Sequence, residues 1–599
     1  MAEVADKKKS AIQGGEWLIR ETDPNDIFIP EEWSEEHRMI ARSAKDFLEA
    51  EIYPNLDRID NMEEGLMASL MDKAGELGML GLSIPEEYGG MGMDFKTSML
   101  GAEVFGAGHS FSVAYSAHTG IGTLPILYYG NEEQKKKYIP GLATGELKAC
   151  YCLTEPGAGS DANSGKTKAV LSDDGKHYII NGQKMWITNS GFADIFVVFA
   201  KIDDDENLSA FIIEKDFGGI ELNPEEKKMG IKGSSTRQVF FNDCNVPVEN
   251  LLSERGNGFK IALNILNIGR IKLGGGVVGA CKDVVKHSVK YAQERNQFGR
   301  PISKYGAIRQ KLGEQAVRNF VLESATYRAT EDIQRRIDSL ADEGMDKTEA
   351  LLKGVEQYAA ECAMLKVFGS EVLDFIVDEG VQIHGGMGYS AETRVERAYR
   401  DARINRIFEG TNEINRMLTV DMLLKKAMKG ELDLMVPAMK VANELMSIPE
   451  TPEDDGKPMF KERMLIENFK KSVLMVAGSA AQKLMQSLAK EQEVLMNIAD
   501  MAIWTYGAES ALLRTLKIME KHGEDAAKDQ IAMTKIWLYD TADRINKAGK
   551  DAINSFVEGD ELRMMMMGLK RFTKHEPFNV KEARQQIALR VIDEGEYCF

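Results

Sequence analysis

Two hydrophobic patterns alternate along the chain. From Ser34 the apolar residues Met39, Ile40, Ala44, Phe47 and Leu48 recur at helical spacing. Ser34 suits an N-cap, with Glu35 and Glu36 in the first turn. Pro54, Gly65, Gly75 and Pro85 divide this region into several helices. Residues 82–94 read as a glycine-rich loop, and helical patterning then continues to about Leu147. From Ala149 to about Asn257 the period changes. HYIINGQKMWITNS, DIFVVFAKI, LSAFIIEK and RQVFFNDCNVP are short runs of β-branched and aromatic residues, and Asn181-Gly182 reads as a hairpin turn. Helical periodicity returns at Phe259 and lasts to about Leu432. The stretch 448–458 holds three prolines and four acids and reads as a solvated linker. The predicted layout is an arm at 1–30, a helical domain at 31–148, a β-domain at 149–258 and a helical bundle at 259–432. A linker at 433–462 and a further helical domain at 463–599 follow. A crevice between such domains is a natural ligand site.

Composition narrows the function. The 599 residues are 43% hydrophobic and 28% charged, enough to bury sizeable cores. A net charge of −19 lacks the basic footprint of a nucleic-acid binder and disfavours strong attraction to anionic lipid. The cysteines Cys150, Cys152, Cys244, Cys281, Cys362 and Cys598 are too scattered for a disulfide framework. The spacing of Cys150 and Cys152 is not that of a zinc site, so no metal is expected. No run of 18 apolar residues and no secretory leader is evident, so a soluble cytoplasmic protein is expected.

Four segments carry candidate chemistry. In CLTEPGAGSDANS, residues 152–164, Gly157 and Gly159 allow close backbone approach, while Thr154 and Ser160 add hydroxyls; the loop suits a phosphate or a polar ring edge, or is an ordinary turn. In KMWITNS, Trp186 and Thr188 alternate to one strand face, where the indole covers a flat cofactor or packs in a core. In ERNQFGRPI, Arg295 offers a fork of donors to a phosphate, or is a charged helix end. In VQIHGGMGYS and RIFEGTNEI, paired glycines permit close approach, and Glu409 lies between Phe408 and Gly410. A carboxylate there serves as a desolvated general base or as a solvated cap. His384 reads as structural.

Taken in order, TEPGAGSD, MWITN, the R-x-x-F-G element Arg295–Gly299, Q-x-x-G-G-x-G-Y at Gln382–Tyr389 and FEGTNEI resemble the acyl-CoA dehydrogenase family. LGMLGLSIPEEYGGMG, NEEQKKKYIP and LNIGRIKLGG extend the resemblance over about Ser34 to Met428. It implies a mainly α fold with a central β-barrel domain between helical domains, and FAD in the crevice. It also implies removal of the α-proton of a CoA thioester with hydride passing from the β-carbon to the flavin. Glu409 matches the base. Gly269 stands where some members place an alternative base, beside Arg270. Matched to FAD contacts are Tyr151, Thr154, Gly159, Ser160, Trp186, Thr188, Arg295, Gln297, Phe298, Gln382, Gly385, Gly386, Thr411 and Glu413. Matched to the acyl-CoA are Ser160, Gly120, Gly122, Arg270 and Gly410. The oxyanion donors implied are the backbone N–H of Glu409 and a flavin hydroxyl.

The region past residue 430 resembles the extra helical domain of the very-long-chain type, with residues 492–514 part of it. That type implies a homodimer, although the acidic TPEDD suits a membrane poorly, so weak or no membrane association is expected. Met564–Met567 reads as core packing. Gly120 and Gly122 in GIGTLP leave room for a medium to long acyl chain, with Pro125 bearing on its depth. The expected function is dehydrogenation of a fatty acyl-CoA in β-oxidation, with electrons passed to an electron-transfer flavoprotein. The rivals are an oxygen-using acyl-CoA oxidase and a scaffolding or assembly paralogue.

Overall fold

The computed structural model describes residues 12–447 and 452–599. The first eleven residues of the expected arm and the first four of the acidic linker lie outside the described residues. Two compact units emerge.

The larger unit comprises 33–323, 365–415 and 584–599. Ser34 caps the helix Glu35–Phe47, its hydroxyl accepting the His37 N–H at 3.3 Å. This helix, Phe95–Gly106 and Ser110–Ser116 close over an aromatic core of Phe47, Phe105, Phe111 and Tyr115. The β-domain is an eight-stranded sheet: β1 Ala149–Cys152, β2 Lys168–Leu171, β3 His177–Thr188, β4 Ile195–Ile202, β5 Ser209–Glu214, β6 Ile220–Leu222, β7 Thr236–Pro247 and β8 Leu251–Leu252. Its order is β6-β7-β3-β2-β4-β5-β8, with β1 parallel to β4. β4 is buried along nearly its whole length, which is why IFVVFAKI reads as one apolar run.

Asn181-Gly182 is not a hairpin turn. It lies within β3, where the pairing with β7 slips between Ile180 and Gly182. A Cβ at Gly182 would come within 2.5 Å of Thr167 Oγ1, so glycine serves close approach at a bulge. A second slip, between Lys184 and Ile187, removes the expected alternation of Trp186 and Thr188. Trp186 takes φ 61° and leaves its indole 54% exposed.

The helix Gly258–Glu294 runs for 37 residues. It approaches Phe95–Gly106 so closely that a Cβ on Gly279 would stand 1.8 Å from Glu103 O. Its apolar window is long enough to cross a membrane, yet 61% of that window is buried in the protein, as in a core helix.

The smaller unit comprises residues up to Glu32 together with 324–364 and 416–583. The described part of the expected arm is packed. Ile27 and Ile29 join Leu513 and Ile518 in a core, Trp17 meets Tyr506 edge-on at 5.1 Å, and Gly15 N–H donates to Glu361 Oε1 at 2.6 Å. Buried Glu509 bridges Arg328 at 2.9 Å and Lys470 at 2.6 Å. Three long helices, Phe460–Leu484, Gln492–His522 and Lys528–Phe556, dominate this unit. The methionine run divides by helical face: Met565 is buried and Met567 is exposed.

Candidate active site

An elongated cavity runs along the long helix in the larger unit. One wall is a stripe of the long helix: Gly269, Leu273, Gly276, Ala280 and Asp283, residues three or four apart, with Lys272 beside Leu273. The fourteen steps from Gly269 to Asp283 rise about 21 Å at ~1.5 Å each. Ser112, Ser116, Thr119 and Gly120 line the facing wall. Gly120 belongs to the π-helical segment Ala117–Gly122. That segment is pinned by buried His118, whose Nε2–H donates to Leu142 O at 2.9 Å while its Nδ1 accepts from Ala149 N–H at 3.1 Å. Burial pulls the His118 pKa down to about 4, keeping the ring neutral. Nothing lies within 4 Å of a Cβ on Gly120, whereas one on Gly122 would meet Ala149 Cβ at 2.8 Å. Gly120 therefore gives the cavity width, and Gly122 serves packing against β1. Pro125 does not line the cavity; it sits buried in the first turn of Leu124–Tyr129.

Glu409 and Phe408 stand at the head of the cavity with Thr188 and Gly269. Glu409 takes φ 58° and Gly410 φ 80°. A left-handed glutamate costs about 1–3 kcal/mol and persists where its surroundings fix it. Arg270 Nε–H donates to Glu409 O at 3.2 Å, and Asn415 Nδ2 donates to the carbonyls of Glu409, Gly410 and Thr411 at 3.3, 2.8 and 3.0 Å. Buried Lys366 donates to Gly410 O at 2.7 Å and to Asn412 Oδ1 at 2.8 Å. The loop is thus held by its backbone, and the carboxylate is left to the cavity. Among the described residues Glu409 Oε2 is buried with no hydrogen-bond partner. Burial raises the Glu409 pKa to about 7, against the opposing pull of Arg270 and Lys366. Burial likewise draws Lys366 down to about 7, with Glu409 opposing. A Cβ on Gly269 would sit 2.9 Å from Glu409 Oε2, so the missing side chain makes room for the carboxylate.

Family models match this chain in four consecutive stretches. These are the acyl-CoA dehydrogenase N-terminal domain at 34–146, the middle domain at 150–244, and two C-terminal domain models at 256–424 and 468–571. A probable acyl-CoA dehydrogenase of Bacillus subtilis (strain 168) is 46% identical over 593 residues, 99% of each chain. The chain belongs to the acyl-CoA dehydrogenase family. The mitochondrial very long-chain specific acyl-CoA dehydrogenase of Homo sapiens is 35% identical over 529 residues, covering 83% of this chain and 76% of that protein. The crystal structure of an acyl-CoA dehydrogenase complexed with FAD from Bacillus anthracis superposes with a TM-score of 0.95 at 47% identity, over 98% of this chain and 100% of that one.

The remaining residues that the family resemblance singles out fall into three groups. Tyr151 is buried behind Glu409, close enough for the carboxylate to add to the burial that raises its phenol pKa, and its hydroxyl has no partner. Thr154 O accepts the Met185 N–H at 2.9 Å, tying the glycine loop to the bulge that carries Trp186. Gly159 and Ser160 are exposed on that loop, and nothing lies within 4 Å of a Cβ on Gly157 or Gly159. A second group stands away from the cavity wall. Arg295, Gln297 and Phe298 are exposed on the short hairpin β9 Asn296–Gln297 and β10 Arg300–Pro301, with Phe298 and Gly299 at positive φ in its turn. Gln382, Gly385 and Gly386 are exposed, and neither glycine has a neighbour within 4 Å of a Cβ. In the third group, Thr411 Oγ1 accepts the Ile414 N–H at 3.3 Å as a helix cap, and Glu413 is exposed in the first turn of Asn412–Met428. Neither Arg270 nor Ser160 lines the cavity, and Arg270 instead positions Glu409. His384 is structural, stacked on Tyr291 at 4.2 Å.

Sequence reasoning missed Lys366, Asn415, Glu155 and Lys184. Glu155 organises the glycine loop: it accepts the Lys166 and Thr167 N–H groups at 2.6 and 3.0 Å and pairs with fully buried Lys184 at 2.7 Å. TEPG, KMWITNS and FEGTNEIN contain Glu155, Lys184 and Asn415, but nothing local marks Lys366.

Proposed function

We propose that this chain oxidises the Cα–Cβ bond of a long-chain fatty acyl-CoA to a trans-2-enoyl-CoA, with FAD as cofactor and an electron-transfer flavoprotein as acceptor. The observation that carries this is the Glu409 carboxylate, unpartnered among the described residues, at the head of a cavity whose helical wall rises about 21 Å from Gly269 to Asp283. An extended chain advances about 1.3 Å per carbon, from C–C bonds near 1.5 Å. The cavity length therefore suits about sixteen carbons.

The residues fit FAD. The half-exposed Trp186 indole offers a flat face, the Gly157 and Gly159 loop leaves space for close approach, and the buried Tyr151 hydroxyl awaits a partner. When bound, FAD supplies the hydride acceptor. The chain supplies the rest. Glu409 Oε2 takes the α-proton, with its pKa near 7 matched to that task. Among the described residues the Glu409 backbone N–H has no hydrogen-bond acceptor, which leaves it to hold the thioester oxygen as charge develops there. The apolar part of the lining, which includes Ile265, Leu273, Val277 and Leu373, excludes water around the acyl chain. Phe298, 94% exposed beside Arg295 and Gln297, supports completion of the cofactor site by a second copy in a homodimer.

Gly269→Ala places a methyl against the carboxylate. The expected result is flavin reduction slowed by about 10²-fold, the loss typical of a ~1 Å misplacement, with substrate binding largely retained. Stopped-flow reduction rates check it. The acceptor is tested with an oxygen electrode: turnover should depend on added electron-transfer flavoprotein and consume little oxygen. Rapid oxygen uptake without that partner would make the protein an oxidase.

A further inference from the structure

The far end of the cavity is polar in a way that a saturated hydrocarbon tail does not use. His109 and Asp401 line it with Asp283, about 21 Å along the long helix from Gly269. His109 Nδ1–H donates to Asp401 Oδ2 at 3.2 Å, and the two side chains are 6% and 11% exposed. The other Asp401 oxygen accepts the Ile231 backbone N–H. An imidazole whose Nδ1–H is committed to a carboxylate presents a lone pair at Nε2 when neutral. That Nε2 is buried and has no hydrogen-bond partner among the described residues. A buried polar atom left unmatched is costly, so its place on a cavity wall points to a ligand that matches it. His109 also sits at φ 52°, a strained region for a residue other than glycine. Asp283, paired with Arg394 at 3.0 Å, and Asp401 place two carboxylates at this end. Each of these carboxylates already has a partner of its own, which leaves His109 Nε2 as the unmatched atom of this group.

We propose that His109, positioned by Asp401, forms a distal subsite for acyl chains with a hydroxyl at or near the far end, the hydroxyl donating to His109 Nε2. The inference rests on the acyl-CoA reading above. It narrows the substrate class to long chains that include terminally hydroxylated ones.

The test compares CoA thioesters of about 12 to 18 carbons, the range the cavity length allows, with and without a terminal hydroxyl. Each is mixed anaerobically with the FAD-loaded protein, and the concentration giving half-maximal flavin reduction is read. At the matching length the hydroxylated chain should saturate at a roughly three- to tenfold lower concentration than its plain partner, the effect of one added hydrogen bond. That preference should vanish in His109→Asn and in His109→Gly, two residues that tolerate positive φ. A plain chain that outperforms its hydroxylated partner at every length would overturn the inference alone, as would a preference that survives in both variants. If no plain chain reduces the flavin, the catalytic reading fails and the inference falls with it.

Discussion

Glu409→Gln should slow flavin reduction by long-chain acyl-CoA by about 10³-fold, within the range general-base catalysis contributes. Glutamine preserves size and the hydrogen bonds to the Glu409 carbonyl but cannot accept the α-proton. The pH dependence identifies the group. With its pKa raised to about 7, Glu409 is protonated below that pH and cannot act. The wild-type rate in the free enzyme should therefore fall about tenfold per unit below pH 7 and level off above it. The residual rate of the variant should lack this step. Stability moves the other way. A folded pKa above the unfolded one contributes stability that is fully present below about 4.5 and lost as pH rises through about 7. Glutamine removes that penalty, so the variant should be more stable than wild type at pH 8, by up to roughly 3 kcal/mol, and by little at pH 5. Thermal unfolding at the two pH values reads this directly. A slower enzyme with a higher Tm at pH 8 is hard to explain by misfolding.

Ala280→Phe should convert a long-chain site into a shorter one. Ala280 lines the cavity eleven residues beyond Gly269, about 16 Å along the helix. A ring there closes the lumen past about twelve carbons, at ~1.3 Å per carbon. An acyl chain four methylenes too long loses about 3 kcal/mol of burial, at ~0.8 kcal/mol each. The expected loss in kcat/KM is thus about 10²-fold for a 16-carbon chain, with little change for an 8-carbon one. Equal loss at both lengths would place the acyl chain elsewhere.

The sequence made the site's chemistry more legible than its supports. Glu409, Gly269 and Trp186 lie in short local motifs, and the change from helical to strand period announced the β-domain. One misreading and two roles the motifs do not announce share a cause: local grammar has no access to tertiary neighbours. Asn181-Gly182 has hairpin composition, but Thr167 behind it makes it a bulge. Gly120 and Gly122 look alike, yet only Gly120 opens on the cavity while Gly122 packs on Ala149. Arg270 reads as a substrate contact, and the structure shows it also bonding to Asn267 and the Glu409 carbonyl, a role its motif does not announce. Residues 12–32 carry no periodicity because their order comes from what they pack on, such as the Leu513–Ile518 cluster. Lys366 and Lys184 are buried lysines on apolar elements, and their carbonyl and carboxylate partners lie tens of residues away in sequence.

The most direct measurement mixes the FAD-loaded protein anaerobically with saturated acyl-CoAs of about 4, 8, 12 and 16 carbons and follows flavin bleaching, since a chain that fills the cavity is the one held in reacting position. Bleaching should be fastest with the longest chain and accompanied by trans-2-enoyl-CoA. A flavin that none of the four chains bleaches would contradict the account.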